Sequence, residues 1–349
     1  MEKTVVAVDA MGGDNAPVEV IKGVVDAVNQ NSSVDIILTG PVDVINAELS
    51  KFTFPEGRIT IEPASEVITT DEAPAIAVRR KKDASLVVAM KKIKTGDADA
   101  FVSAGSTGAI VVAGFGIAGR IRGIDRTPIG AIVPTVNGPC LIVDSGANVD
   151  CRSNWLVQFA QMGSIYVENA LGIKNPRVGI VNIGAEAEKG DALVHETYPL
   201  LSECETINFT GSVEARDIPY GPADVIVCDG FVGNVVLKMY EGTASALLGL
   251  IKGTLKSSLR TKIGAAMILP ALKDTLKTFD ASNYGGAPLL GLNGLVVKAH
   301  GSSKAKEITT AILQCVTFKE QGINDKIRAV LGRDAKKAAE ASANDAVQE

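Results

Sequence analysis

The sequence is short of aromatic residues: one Trp, five Tyr and nine Phe make up 4% of 349 residues. Its core must therefore be built from Val, Ile, Leu and Ala. Histidine is rarer still, with only His195 and His300. Neither forms a zinc motif, so no metal and no hydrolytic zinc chemistry is expected. The five cysteines, at 140, 151, 204, 228 and 315, are odd in number and contain no C-x-x-C pair. A disulfide framework is not expected, and a reducing cytosol is the simpler reading. Cys228 directly precedes Asp229, but a free Cys ending an apolar strand reads as packing rather than as a nucleophile. There is no basic excess either. A net charge of −5 argues against a nucleic-acid partner. No Walker A sequence occurs, so that route to a nucleotide is closed. Near the start, only Val5–Val8 separates Lys3 and Thr4 from Asp9, too little for the apolar core of a signal peptide. The longest uncharged run is Ala100–Gly119, twenty residues and long enough to span a bilayer. It holds five Gly, two Ser and a Thr, and reads instead as a buried strand, loop and helix of a soluble protein.

Glycine is abundant, at 35 residues. Short β-branched runs recur, most ending in Gly or Asp: Thr4–Asp9, Val34–Thr39, Arg58–Glu62, Ala98–Val102, Gly130–Val133, Cys140–Asp144, Arg177–Asn182 and Asp224–Cys228. Several are apolar throughout, as strands buried on both faces must be. Helical patterns separate many of them. Pro17 opens one that runs to Gln30, and Ser153–Leu171 is another. Asp71 is placed to cap a helix continuing past Pro74, and Asp83 a second running to Gly96. This alternation predicts an α/β fold: a mostly parallel, Rossmann-like sheet with helices on both faces. One large α/β unit over residues 1–332 is expected. It carries an inserted helical hairpin at about 243–282, where Leu248, Ile251, Leu255, Leu259 and Ile263 fall at helical spacing. Residues 333–349 form a charged, Ala-rich tail.

Ligands of open α/β sheets bind beyond the carboxyl ends of the strands. There the sequence places Gly-rich loops: 9–17, 103–108, 182–190, 229–234, 284–291 and 300–303. Glycine lets the backbone approach a ligand, and N–H groups at such turns favour an anion. Each loop alone is explained by a tight turn; several at one sheet edge point to a phosphate-type site. Gly114-Phe-Gly-Ile-Ala-Gly119 matches G-x-G-x-x-G literally, but no acid lies between Asp125 and Asp144 to take a ribose. It reads as helix-packing glycine, which disfavours a dehydrogenase.

Charge is unevenly spread. Arg79–Lys94 holds seven basic residues against Asp83 alone, and Lys252–Lys277 six against Asp274 alone. The remaining chain is strongly acidic. Two concentrated basic stretches predict local anionic partners. The second is also amphipathic, and reads either as a dimer contact or as an interfacial helix pair on anionic lipid. Leu255, Leu259, Ile263, Met267, Ile268 and Leu269 would be its apolar contacts.

The loops carry a family resemblance. Val8-Asp-Ala-Met-Gly-Gly-Asp-Asn-Ala-Pro17 resembles the N-terminal signature of the bacterial phosphate acyltransferases of phospholipid synthesis. The likeness continues through Ser103–Ala109, Gly146–Asp150, Asn182–Gly190, Asp229–Lys238, Tyr284–Gly291 and Ala299–Ser303. It implies transfer of a fatty acyl group from acyl carrier protein to inorganic phosphate, giving acyl-phosphate. It implies a homodimer, peripheral contact with an anionic membrane, and a downstream membrane glycerol-3-phosphate acyltransferase that consumes the product. It also implies a fold like that of phosphotransacetylases and isopropylmalate dehydrogenase. Ser106 stands where Asn is usual in the family, and Ala185 and Ala187 where acids are common.

Phosphate is already a nucleophile, so this chemistry requires neither cofactor nor covalent enzyme intermediate. The protein has to align two reactants and stabilise an oxyanion. On this reading Gly12, Gly13, Asp14, Gly105, Ser106, Thr107 and Gly108 hold phosphate, with Lys189 or His300 supporting its charge. Asn234 and Lys238 orient the thioester. Arg79, Arg80, Lys81 and Lys82 receive the acidic carrier protein. A phosphotransacetylase-like enzyme using acyl-CoA and a non-enzymatic membrane-surface adaptor are the alternatives.

Overall fold

The computed structural model describes residues 3–278 and 284–332. The expected alternation is present, but it builds two sheets rather than one. The first has six strands: β1 (Thr4–Asp9), β2 (Val34–Gly40), β3 (Ile59–Pro63), β4 (Ala100–Ser103), β10 (Ala287–Leu289) and β11 (Leu295–Lys298), in the order β10-β11-β4-β1-β2-β3. The second has five: β5 (Gly130–Thr135), β6 (Gly138–Val143), β7 (Arg177–Asn182), β8 (Asn208–Glu214) and β9 (Val225–Val227), in the order β5-β6-β9-β7-β8. Both are parallel except for one hairpin pair each, β10 with β11 and β5 with β6. The central strands are buried along their length, which is why they read as unbroken apolar runs.

The helices bury aliphatic stripes against these sheets. In α1 (Val18–Gln30), Val20, Ile21, Val24, Val25 and Val28 face inward. Gly23 lets α10 (Ala305–Glu320) pass so closely that a Cβ there would lie 2.6 Å from Ile308. One apolar cluster runs from Val6 and Val8 through Ile308 and Ile312 to Leu156, Phe159, Val178 and Val225. It joins both sheets through α6 (Ser153–Ala170) and α10.

Some boundaries depart from the sequence reading. Asp83 does not cap its helix: α4 (Ser85–Thr95) has Ala84 at its N-cap, and Asp83 accepts bonds from the Ser65 N–H and hydroxyl. Nor does Asp71 cap α3 (Pro74–Arg80), whose N-cap is Ala73. The hairpin is not separate from the body. Its first arm continues a helix, α8 (Gly230–Lys256), that starts on the second sheet; α9 (Leu259–Thr278) returns. Its predicted end, and the tail from 333, lie outside the described residues. Gly114 does serve helix packing, with Leu292 2.9 Å from a would-be Cβ. The strand Asn208–Glu214 escaped notice because Asn208, Thr210, Gly211 and Ser212 break its apolar pattern. None of the helices among the described residues is long and apolar enough to cross a membrane.

Candidate active site

Three parallel neighbours, β11, β4 and β1, end side by side at Lys298, Ser103 and Asp9. The loops that follow therefore converge. At the floor, Ser103 Oγ donates to Asp9 Oδ2 at 2.7 Å, and the Gly105 N–H donates to Ser103 Oγ at 2.9 Å. Burial pushes the Asp9 carboxyl pKa up; bonds from Ser85, Ser103 and Met11 pull it partly back. The 12–15 loop lies across this floor. Gly13 adopts φ +101° with Ala104 2.8 Å from a would-be Cβ, a place only glycine fits. The Asp14 N–H donates to the Gly301 carbonyl, and Asn15 Nδ2 to those of Ser302 and Ser303. The first loop thus braces the 300–303 loop.

The second sheet supplies the opposite wall. Asp144, just past β6, is fully buried. Its carboxylate accepts from the backbone N–H groups of Ile129, Gly146, Ala147 and Asn148 and from Asn148 Nδ2. Burial pushes its pKa up, and these bonds oppose the shift. Every partner is a donor, so the ionised form is the one the site is built to hold. The knot shapes the 145–148 turn, on which α8 begins: the Gly230 N–H donates to the Asn148 carbonyl at 2.7 Å. Asp229 caps the same helix through the N–H groups of Phe231 and Val232. One turn later the helix presents Asn234, and another turn on, Lys238.

Between the two carboxyl edges lies a cavity of about 770 Å³, a size suited to a small ligand. Thr107, Lys298, His300, Ser302 and Ser303 line it from the first sheet, and Ser145, Gly146, Asn234, Lys238 and Glu241 from the second. The Ser302 N–H and hydroxyl both approach His300 Nδ1, at 3.3 and 2.8 Å. A backbone N–H can only donate, so Nδ1 is the acceptor and Nε2 carries the proton. His300 can then donate from Nε2. Lys238 pairs with Glu241 at a long 3.5 Å.

Of the residues singled out from sequence, Thr107, Asn234, Lys238 and His300 come together here. Gly12, Gly13, Asp14, Gly105, Ser106 and Gly108 do not line the cavity. Ser106 caps the helix Thr107–Ala113, Gly108 packs that helix against Pro74, and Gly12, Gly13, Asp14 and Gly105 form or brace the floor. Lys189 lies on the loop after β7, outside the cavity lining, paired with Glu186 at 2.9 Å. His195 is exposed on a helix, and Cys228 is buried with its thiol pushed far up by desolvation, as packing residues would be. Lys298 was missed. It reads as the charged end of an apolar strand, and only the sheet order puts it between Ser103 and the cavity. Asp144 was missed because its partners are backbone groups that leave no side-chain pattern.

The helix leading into the basic stretch starts beside the site. A Cβ on Gly108 would meet Pro74 at 2.6 Å, so α3 starts against the Thr107 helix. At its far end Arg79, Arg80 and Lys82 are exposed, whereas Lys81 is held by Glu72 at 2.7 Å. On the hairpin, Leu259, Ile263, Met267, Ile268 and Leu269 are all exposed and Leu255 half-buried.

Residues 4–326 match the model of a family described as fatty acid synthesis protein. The chain is 53% identical over 323 residues to a phosphate acyltransferase of Clostridium acetobutylicum, covering 93% of this chain and 97% of that protein. It is 48% identical over 323 residues to one of Clostridium novyi, with the same coverage. Among solved structures, a phosphotransacetylase from Streptococcus pyogenes superposes with a TM-score of 0.60 at 18% identity, over 91% of this chain and 94% of that one. A branched-chain phosphotransacylase from Enterococcus faecalis gives 0.53 at 13%, over 90% and 98%. These two likenesses establish the fold.

Proposed function

The chain belongs to the fatty acid synthesis protein family, and we propose that, as a phosphate acyltransferase, it moves a fatty acyl group from the thioester of acyl carrier protein to inorganic phosphate. A phosphate oxygen attacks the thioester carbonyl, the C–S bond breaks, the carrier leaves as its thiol with the proton phosphate gives up, and acyl-phosphate remains. The observation that carries this reading is the cavity itself: cationic and hydrogen-bonding side chains gathered where the strand ends of two sheets meet. Asn234 and Lys238, fixed by the start of α8, orient the carbonyl and stabilise its developing oxyanion. His300 donates from Nε2 to an anionic oxygen. Lys189, on the loop after β7 and paired with Glu186, would add positive charge outside the cavity. Lys189→Ala and His300→Ala both keeping wild-type turnover would remove these two from the mechanism.

Arg79, Arg80 and Lys82 are proposed to receive the acidic carrier, since they stand exposed at and just past the end of a helix that starts beside the cavity. The exposed apolar residues of the hairpin, interleaved with Lys252, Lys256, Arg260 and Lys262, suit an anionic membrane surface or a second copy of the chain. A membrane visit would deliver acyl-phosphate to a glycerol-3-phosphate acyltransferase there. The deciding experiment supplies purified protein and phosphate with acyl-carrier protein or acyl-CoA in parallel, trapping acyl-phosphate with hydroxylamine. Preference for the carrier is expected. Equal or better use of acyl-CoA would overturn the donor, and no hydroxamate from either would overturn the reaction.

A further inference from the structure

Lys298 ends β11 with its side chain lining the cavity and most of its surface buried. Among the described residues no carboxylate lies within ion-pair distance of it. Among those residues its ammonium donates only to the Ala299 carbonyl, at 3.3 Å, leaving two of three N–H groups unspent. The charged groups that share its cavity are Lys238 and Glu241 from α8, His300 from the 300–303 loop and Glu307 from the first turn of α10; Tyr284 also borders it. Beside them, Ser303 is 6% exposed and lines the same cavity, and its hydroxyl is buried with no hydrogen-bond partner. Two lysines around one cavity repel each other, and an orphaned hydroxyl costs free energy. Both costs disappear when an anion with several acceptor oxygens sits among them.

We propose that Lys298, with the Ser303 hydroxyl and Lys238, forms the clamp that holds the tetrahedral phosphate nucleophile. This assignment rests on the acyltransferase reading and says where its second substrate binds. A thioester is uncharged, so a paired-lysine site sorts the two reactants: phosphate enters the clamp, and the carbonyl is left to Asn234 and the outer face of Lys238. Desolvation lowers the Lys298 pKa, the Lys238 charge lowers it further, and Glu241 partly opposes both. The clamp should therefore lose its charge at a lower pH than an ordinary lysine would.

The test measures inorganic phosphate binding by calorimetry, and KM for phosphate and for acyl donor separately. Removing a charged hydrogen-bond donor by Lys298→Gln should weaken phosphate ~10–100-fold, and Ser303→Ala ~3–10-fold. The donor KM should stay within about twofold in both. In Lys298→Arg the guanidinium stays charged, so the alkaline loss of phosphate affinity should move to higher pH. Phosphate affinity within twofold of wild type in both Lys298→Gln and Ser303→Ala overturns the clamp, as does an unchanged alkaline limb in Lys298→Arg. If Lys298→Gln fails to fold, Ser303→Ala and Lys298→Arg carry the test. Calorimetry also separates the two claims. A wild-type chain that makes no acyl-phosphate refutes the reaction, whereas one that makes it with variants indifferent to phosphate refutes only the clamp.

Discussion

Gly233→Ala places one methyl group at the most crowded point under the site. A Cβ at Gly233 would lie 1.9 Å from the Asp144 carbonyl oxygen and 2.9 Å from Cys228 Sγ. An ordinary carbon–oxygen contact needs roughly 3.3 Å, so something must move by more than about 1 Å. The Asp144 side cannot easily yield. Its carboxylate is tied by five donors, and its backbone N–H is bonded to the Cys228 carbonyl at 3.0 Å. The helix has to give instead, and it carries Asn234 and Lys238. Overpacking of this kind costs about 1–3 kcal/mol, while Ala regains about 1 kcal/mol of helix propensity. The net loss of stability should be about 0–2 kcal/mol, whereas a ~1 Å misplacement of site residues should cost ~100-fold in rate. Gly242→Ala is the internal control. It lies further along the same helix, with nothing within 4 Å of the added Cβ. It should gain up to about 1 kcal/mol and leave turnover unchanged. Urea unfolding midpoints and hydroxylamine-trapped acyl-phosphate measure the two effects. If Gly233→Ala turns over like Gly242→Ala, the start of α8 does not position the site and the argument fails.

Three further outcomes are expected. Arg177 grips Asp224 through its guanidinium and backbone N–H. Burial works to raise the Asp224 pKa, but these bonds and the Arg177 charge outweigh it and hold the carboxyl below its usual 3.8. A depressed carboxylate stabilises above its unfolded pKa and loses that contribution as pH falls through its folded value. Wild type and Asp224→Asn should thus differ in Tm at pH 6 and converge as pH falls through the depressed folded-state pKa of Asp224; a constant gap would count against the pair. Replacing Arg79, Arg80 and Lys82 together with Glu should raise KM for acyl-carrier protein severalfold at low salt and leave that for acyl-CoA unchanged, because only the carrier is a large anion. Equal effects on both donors would place the damage in the site instead. Leu259→Glu with Ile263→Glu should abolish flotation with phosphatidylglycerol vesicles while preserving turnover of a soluble donor; undiminished flotation would remove the hairpin from the membrane.

What the sequence makes legible follows from what each physical effect writes locally. Buried parallel strands write apolar runs, so all eight runs legible in the sequence lie in the two sheets within two residues of the strand ends. The glycine loops at strand ends were equally visible, since close backbone approach excludes a Cβ wherever it occurs. Sheet order writes nothing locally. Nothing local in the sequence signals that Lys298 sits beside Ser103, 195 positions earlier, because β11 enters the first sheet only after the chain has built the second. The place of the 12–13 glycine loop is hidden for the same reason. Its loop does converge with the others, but as a brace beneath 300–303, so the later loop has the cavity and the earlier one the strain. Asp144 is the harder case. A carboxylate that binds backbone donors needs no partner type at any spacing, and it was passed over as the end of an apolar run. Yet it fixes the turn on which α8 starts, and through that helix the direction of Asn234 and Lys238. Cavity-lining residues such as Asn234, Lys238 and His300 carry charge or polarity in or beside glycine-rich loops, whereas those that hold the loops in place are told apart only by where the chain returns.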